Sequence, residues 1–442
     1  MRRRLPASGS HVTGTGRGLL IAAPASGSGK TTVTLGLLRA LCDRGGPVRG
    51  AKSGPDYIDP RFHEAASGVP CVNLDAWAMP ANTLRARAAG PGLLVVEGAM
   101  GLFDGAPPDG RGSAAELARI LGLPVVLVVD AARMAQSVAP LVAGFARHDP
   151  SVHVAGVILN RVGSPRHEAT LRRALAPVGL PVLGAVARDA ELATPSRHLG
   201  LVQADERGDL EAFLARAGAA IGTACDLDAL AARAAPLAHP DTPAAQIPAP
   251  PGQRIAIARD VAFAFTYPHM LADWRAAGAA IMPFSPLADD PVPDGADFVF
   301  LPGGYPELHA GRLAAATRFR DSLRAAAARG VAIHGECGGY MALGAGLVDA
   351  DGTRHAMAGL LDLETSFAER RLHLGYRRAQ IVAGPFAGAW AAHEFHYATT
   401  IRAAGAALLT ARDAEGTDLG PAGLRAGSVS GSFLHLIDRA QA

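Results

Sequence analysis

The run Leu19-Leu20-Ile21-Ala22-Ala23-Pro24-Ala25-Ser26-Gly27-Ser28-Gly29-Lys30-Thr31-Thr32 decides how the rest of the chain is read. A short apolar strand enters a loop of small residues, and 31–41 (TTVTLGLLRAL) then carries apolar residues at helical spacing. Strand, loop and helix in that order make a phosphate cradle. Backbone N–H groups of the loop and helix start face phosphate oxygens, Lys30 reaches the terminal phosphates, and Thr31 offers its hydroxyl to Mg²⁺. Gly27, Ser28, Gly29, Lys30, Thr31 and Thr32 are therefore the expected ATP contacts. The usual glycine-rich pattern opens on a glycine where this chain has Pro24, so Gly27 supplies the missing flexibility.

With 442 residues the chain exceeds one ordinary core and suits two domains of about 200 residues each. Aromatics make up only 5%, so the cores are expected to pack from Ala, Val and Leu. A net charge of +2, with no basic stripe beyond Arg2-Arg3-Arg4, argues against a nucleic-acid partner. Cys42, Cys71, Cys225 and Cys337 lie far apart without C-x-x-C spacing, which disfavours a zinc site or disulfide scaffold and fits a reducing cytoplasm. Residues 1–18 lack the apolar core of a signal peptide and read as a flexible basic arm. No apolar run reaches the roughly 18 residues of a membrane span.

From residue 19 to about 186, apolar runs alternate with helical segments, which predicts an α/β fold with a mostly parallel sheet flanked by helices. Strands are expected at 19–22, 48–52, 93–97, 125–130, 154–159 and 182–186, with ligands beyond their carboxyl ends. The charged segment 52–63 (KSGPDYIDPRFH) follows the second strand, and its prolines and glycine fix its shape. Lys52, Asp56, Tyr57 and Asp59 are expected to contact the acceptor substrate, Asp56 doubling as a metal-shell carboxylate. Glu97 ends an apolar strand as a metal carboxylate does, or else is capping or ion-paired. Thr31, Asp56 and Glu97 form the expected Mg²⁺ set. Asp104, between glycines, approaches the substrate or stabilises a turn. Asn160, at another strand end, has the amide that can pair with a purine edge. These motifs resemble the dethiobiotin-synthetase-like branch of P-loop proteins, and that resemblance implies transfer of an ATP γ-phosphate to a carboxylate or carbamate.

The Ala-rich segment from 208 to 237 reads as helical, and 239–251 places five prolines in thirteen residues. The expected division is a basic arm at 1–18, an ATP-binding carboxylate-activating domain at 19–205, a helical segment and linker at 206–252, and a second domain at 253–442. In that second domain Val331-Ala332-Ile333-His334-Gly335-Glu336-Cys337-Gly338-Gly339-Tyr340-Met341 reads as a strand turning sharply into a helix with Cys337 at the apex. Gly338 N–H faces the developing oxyanion, and Gly304 in the glycine turn 301–307 is the second donor. The base for the thiol is His334, His393, His396 or His435.

This half resembles the class I glutamine amidotransferases, again a mostly parallel sheet with helices, whose elbow cysteine pairs with a histidine near the C-terminus; the resemblance selects His435. Most of that family carries Glu two positions after the histidine. Here Ile437 stands there, so the third member is missing or replaced, with Asp438 a candidate. The two halves in this order resemble the cobyrinic acid and hydrogenobyrinic acid a,c-diamide synthases, on APASGSGKTT, KSGPDYIDPRFH, VVEGAMGLFDG, HGECGGYM, HEFHY at 393–397 and the closing SFLHL. The resemblance implies ATP and Mg²⁺ activation of two acetate side chains on a corrin ring, with glutamine as ammonia donor. The expected partners are glutamine and a tetrapyrrole polycarboxylic acid, without membrane, and a homodimer is an assembly open to the chain. Nearer alternatives are a cobyric acid synthase or a nickel-sirohydrochlorin a,c-diamide synthase. A partitioning-type ATPase switch is more distant, since it leaves Cys337 and His435 idle.

Overall fold

The computed structural model describes residues 16–192, 196–197, 200–240 and 249–440. Residues 1–15 of the expected basic arm and 241–248 of the expected linker lie outside them. In the first half β1 (Arg17–Ala22), β2 (Val48–Ser53), β3 (Val72–Leu74), β4 (Leu93–Glu97), β5 (Val125–Asp130), β6 (Val154–Val162) and β7 (Val182–Ala187) form one parallel sheet in the order β3-β2-β4-β1-β5-β6-β7. Val125 to Val129 of β5 are at most 1% exposed, the burial that a strand covered on both faces requires. The six expected strands are present. β3 was not foreseen, because Val-Asn-Leu is too short to show a period. Arg17 and Gly18, counted with the arm, pair with Leu93 and Leu94 and belong to β1.

Helices α1 (Lys30–Asp43) and α2 (Asp59–Ser67) leave the carboxyl ends of β1 and the β2 loop. A later helix, Leu210–Ala224, packs on α1 so closely that a Cβ on Gly36 would lie 2.3 Å from Ile221 Cγ1. The chain then returns to the sheet, with Ala235–Pro236 antiparallel to β1. No helix among the described residues is long and apolar enough to cross a membrane.

The second half is built on a six-stranded sheet in the order Ala280–Phe284, Arg254–Ala258, Phe298–Leu301, Ala332–Glu336, Val429–Ser432, Leu424–Ala426, parallel except for the last pair. Between 346 and 439 the chain adds a four-stranded and a five-stranded sheet, mostly antiparallel. These strands are not legible in the sequence, since strands such as His373–Ile381 are partly or fully exposed along most of their length and carry few apolar residues. In the five-stranded sheet Gly388–His396 pairs with Leu434–Arg439, and His393 lies opposite His435.

The two halves share a core. Tyr57 and Trp77 belong to the same buried cluster as Phe265, Tyr267 and Trp390. Trp77 stacks on Tyr376 at 4.3 Å, the Tyr376 hydroxyl donates to Asp75 at 3.1 Å, and Arg87 meets Asp273 at 2.7 Å. A contact of this kind fixes one half against the other.

Candidate functional site

Beyond β1 the loop turns through Gly27 at φ 79° and Gly29 at φ 84°, conformations that glycine adopts without a Cβ penalty. At Gly29 only glycine fits, because a Cβ would lie 2.2 Å from Asn160 Nδ2. Asn160 Nδ2 donates to Ser28 O at 2.9 Å, and its Oδ1 accepts from Arg161 N at 3.0 Å. One amide hydrogen and one oxygen lone pair are left for a base edge. A cleft of about 370 Å³ opens here, bordered by Lys30, Thr32, Asn160, Arg161, Val186 and Asp189. Lys30 is buried, its Nζ donates to Met100 O at 2.7 Å, and desolvation lowers its pKa.

Beside the loop lies a buried ionic cluster, assembled by sheet register. Parallel pairing of β2 and β4 sets Lys52 next to Glu97. Thr31 Oγ1 donates to Glu97 Oε1 at 2.6 Å; Lys52 Nζ donates to the same oxygen at 2.9 Å and to Asp59 Oδ2 at 2.5 Å. His63 Nε2 meets Glu97 Oε2 at 2.7 Å, and Thr31 Oγ1 is 3.5 Å from Asp59 Oδ2. Burial alone would raise Glu97, but Lys52 and His63 hold it well below the carboxylate range. Burial would lower Lys52, but Asp59 and Glu97 hold it above the usual range. Burial, then Asp56, pushes Asp59 up to about 7. The oxygens of Thr31, Glu97 and Asp59 are hard donors of the kind Mg²⁺ takes, so this set fits the ion.

Three expectations shift at this point. Asp56 does not join the cluster: its Oδ1 accepts from Ile58 N at 2.8 Å and Asp59 N at 3.0 Å, which caps the start of α2. Asp59 takes the place expected of Asp56 beside Thr31 and Glu97. Lys52 and Asp59, expected on the acceptor, are instead buried against the phosphate-side carboxylates. Asp104 is exposed, and its Oδ2 accepts from Gly101 N at 2.8 Å, the turn-stabilising alternative.

Tyr57 points the other way. Its buried ring stacks on Phe265 at 4.6 Å and lies 4.6 Å from the His435 ring, so it faces the second half and not an open cleft.

In the second half Ala332–Glu336 ends at Cys337, whose φ of 46° and ψ of −104° form a strained apex before the helix Gly338–Leu343. The neighbouring glycines do not carry the strain. They provide clearance: a Cβ on Gly339 would lie 1.9 Å from Leu301 O, and one on Gly338 would lie 3.0 Å from Gly304 N. Gly338, next to the sulfur, and Gly304 thus lie against each other. A Cβ on Gly303 would meet His435 Cε1 at 2.3 Å and Cys337 Cβ at 3.2 Å, which sets the imidazole and the thiol on either side of that glycine.

Burial raises the Cys337 thiol above its usual range and, ahead of His393 and His396, lowers His435 to about 3. Burial thus disfavours the charged form of each. His334 Nδ1 is 2.9 Å from Ser430 Oγ and its ring packs on Phe386, so it is a core residue. His396 is 3.1 Å from Glu394, which also pairs with Arg377. Asp438 lies apart from the elbow, with its Oδ1 accepting from Arg439 N and its side chain in a cleft with Arg87 and His269. The acid near His435 is Glu336, whose Oε2 is 3.7 Å from His435 Nδ1 and whose Oε1 accepts from Leu436 N at 3.1 Å. The sequence held one clue to it, a carboxylate at the end of an otherwise apolar strand.

Residues 19–202 match the CobQ/CobB/MinD/ParA nucleotide binding domain, and 254–442 match the CobB/CobQ-like glutamine amidotransferase domain. Fold and paired sites therefore define a nucleotide-binding glutamine amidotransferase. The chain is 59% identical over 435 residues to a hydrogenobyrinate a,c-diamide synthase of Sinorhizobium sp, covering 96% of this chain and 99% of that one. It is 58% identical to the synthase of that name from Brucella anthropi, over 96% of this chain and 98% of the relative, and 55% identical to that of Rhodobacter capsulatus, over 95% and 98%. The chain belongs to the hydrogenobyrinate a,c-diamide synthase family.

Proposed function

We propose that this chain converts the a and c acetate carboxylates of hydrogenobyrinic acid into amides during cobalamin biosynthesis, with ATP as activator and glutamine as nitrogen source. The observation that supports it most is the reach of one short segment: Lys52 and Asp59 meet Glu97 and Thr31, while Tyr57 between them lies 4.6 Å from His435. Two chemistries are held against each other by the same eight residues, 52–59.

A carboxylate is a poor electrophile. Transfer of the ATP γ-phosphoryl group to one of its oxygens gives an acyl phosphate and ADP, and ammonia then displaces phosphate as the C–N bond forms. Lys30 and the loop N–H groups hold the phosphates. Thr31, Glu97 and Asp59 would hold Mg²⁺, which neutralises charge on the transferring group. Lys52 balances the two carboxylates, and Asn160 borders the base.

At the elbow the Cys337 proton passes to His435 and the sulfur adds to the glutamine side-chain amide carbon, whose oxyanion Gly338 and Gly304 face. The C–N bond breaks as His435 returns the proton to the leaving ammonia, and water hydrolyses the thioester to glutamate. Ammonia must then reach the acyl phosphate unprotonated, which requires a path shielded from water. ATP and glutamine as substrates fit a cytoplasmic setting.

The test supplies ATP and glutamine with hydrogenobyrinic acid, cobyrinic acid or nickel sirohydrochlorin, and measures ADP and glutamate. Hydrogenobyrinic acid is expected to give two of each per ring. ADP formed only with one of the other acids would overturn the choice of ring.

A further inference from the structure

We infer that Glu336, the residue directly before the nucleophile, is the positioning carboxylate of His435. The inference rests on the assignment of Cys337 and His435 as the glutaminase pair. His435 is fully buried, and both of its ring nitrogens lack a hydrogen-bond partner. Such groups are costly unless a state of the reaction satisfies them. Glu336 is 2% exposed, with Oε2 3.7 Å from His435 Nδ1. That distance is short of a hydrogen bond and within ion-pair reach, so the contact gains strength when the imidazole is charged.

The carboxylate cannot swing away, because Leu436 N, the residue next to His435, donates to its Oε1 at 3.1 Å. Glu336 and His435 are thus tied through adjacent strands of two different sheets, the one ending at the elbow and the one running Leu434–Arg439. Other groups also border the imidazole: His393 lies opposite His435 across the strand pair, and His393 and His396 both disfavour its charged form. The Tyr57 ring lies 4.6 Å from the imidazole, tilted by 32°, and the Phe265 ring 6.4 Å away, tilted by 49°. Glu394 is engaged by Arg377 and His396.

The consequence is a choice of tautomer. Burial raises the Glu336 carboxyl to about 8, so the role belongs to its ionised form: with that carboxylate accepting from Nδ1–H, Nε2 is left with its lone pair to take the Cys337 proton, and the imidazolium then formed sits between thiolate and carboxylate. When Nε2 gives that proton to the leaving ammonia, the Nδ1–H tautomer is restored and Glu336 keeps the single negative charge it began with. The carboxylate that usually follows the histidine is supplied here from the nucleophile's own strand, which explains why Ile437 can stand where an acid is expected.

The test is Glu336→Gln, whose amide keeps the Leu436 contact but can donate to Nδ1 and so favours the wrong tautomer. The kcat for glutamine hydrolysis should fall by about 10²-fold or more while the KM for glutamine stays within about 3-fold. Amidation from free ammonia should match the parent. A kcat within about 3-fold of the parent would overturn the assignment. If the variant also loses ammonia-dependent amidation, nitrogen NMR of ¹⁵N-histidine in the unmodified protein decides, with His435 assigned through His435→Gln. A proton on Nδ1 supports the role, and a proton on Nε2 excludes it. The glutaminase and NMR readouts do not need the ring acid, whereas an unmodified protein without glutaminase activity would sink the amidotransferase reading itself.

Discussion

Neither Cys337 nor His435 is open to water, and burial disfavours the charged form of each. Cys337→Ala should abolish glutamine hydrolysis and leave amidation from high free ammonia near the parent rate, since only ammonia delivery uses the sulfur. Paired assays with glutamine and ammonium check this, and normal hydrolysis in the variant would remove Cys337 from the mechanism. Burial has a second consequence at this scale. His334 is held neutral by desolvation, with its pKa lowered to about 3. The unfolded chain takes up that proton near pH 6.5 and the folded chain only near pH 3. Between those values the unfolded state binds more protons, so stability falls as pH falls. From pH 7 to pH 5 the parent should lose about 2 kcal/mol more than His334→Gln. Denaturant titrations at both pH values check it, and equal losses would contradict the assignment.

The elbow shows what an element can reveal before its structure is known. Gly335-Glu336-Cys337-Gly338-Gly339 is legible in the sequence as a strand turning into a helix, but which residue carries the strain is not. The strain sits on Cys337, and the glycines let the turn lie against the strand Phe298–Leu301. Gly339→Ala would press a methyl group on Leu301 O and should cost about 1–3 kcal/mol together with most glutaminase activity. Thermal unfolding and glutamine hydrolysis test this; an active variant of parental stability would mean that the backbone yields. The phosphate loop was legible for the opposite reason, because its chemistry is local in sequence. The buried cluster of Lys52, Asp59, His63 and Glu97 was not, since register between β2 and β4 brings those residues together. Asp56 and Asp59 are three residues apart, and only the cap on α2 shows which one turns toward Glu97. The antiparallel sheets of the second half stayed hidden because their exposed faces break the apolar runs that marked the parallel strands.

On the scale of the whole molecule, Tyr57 from the first half packs on Phe265 and beside His435 of the second, so the two proposed sites belong to one packed unit. Lys30→Ala should stop amidation from glutamine and from free ammonia alike, by roughly 10²-fold or more, because no acyl phosphate forms. Glutamine hydrolysis should persist at its uncoupled level, and the same two assays read both outcomes. The most direct test of the central claim follows an oxygen atom. With ¹⁸O in the a and c carboxylates of hydrogenobyrinic acid, a single turnover at each side chain should place one labelled oxygen in inorganic phosphate per amide formed, with unlabelled ADP. Labelled AMP, or amide formation with the phosphate unlabelled, would contradict the acyl phosphate and with it the assignment of the first half as a γ-phosphoryl donor site.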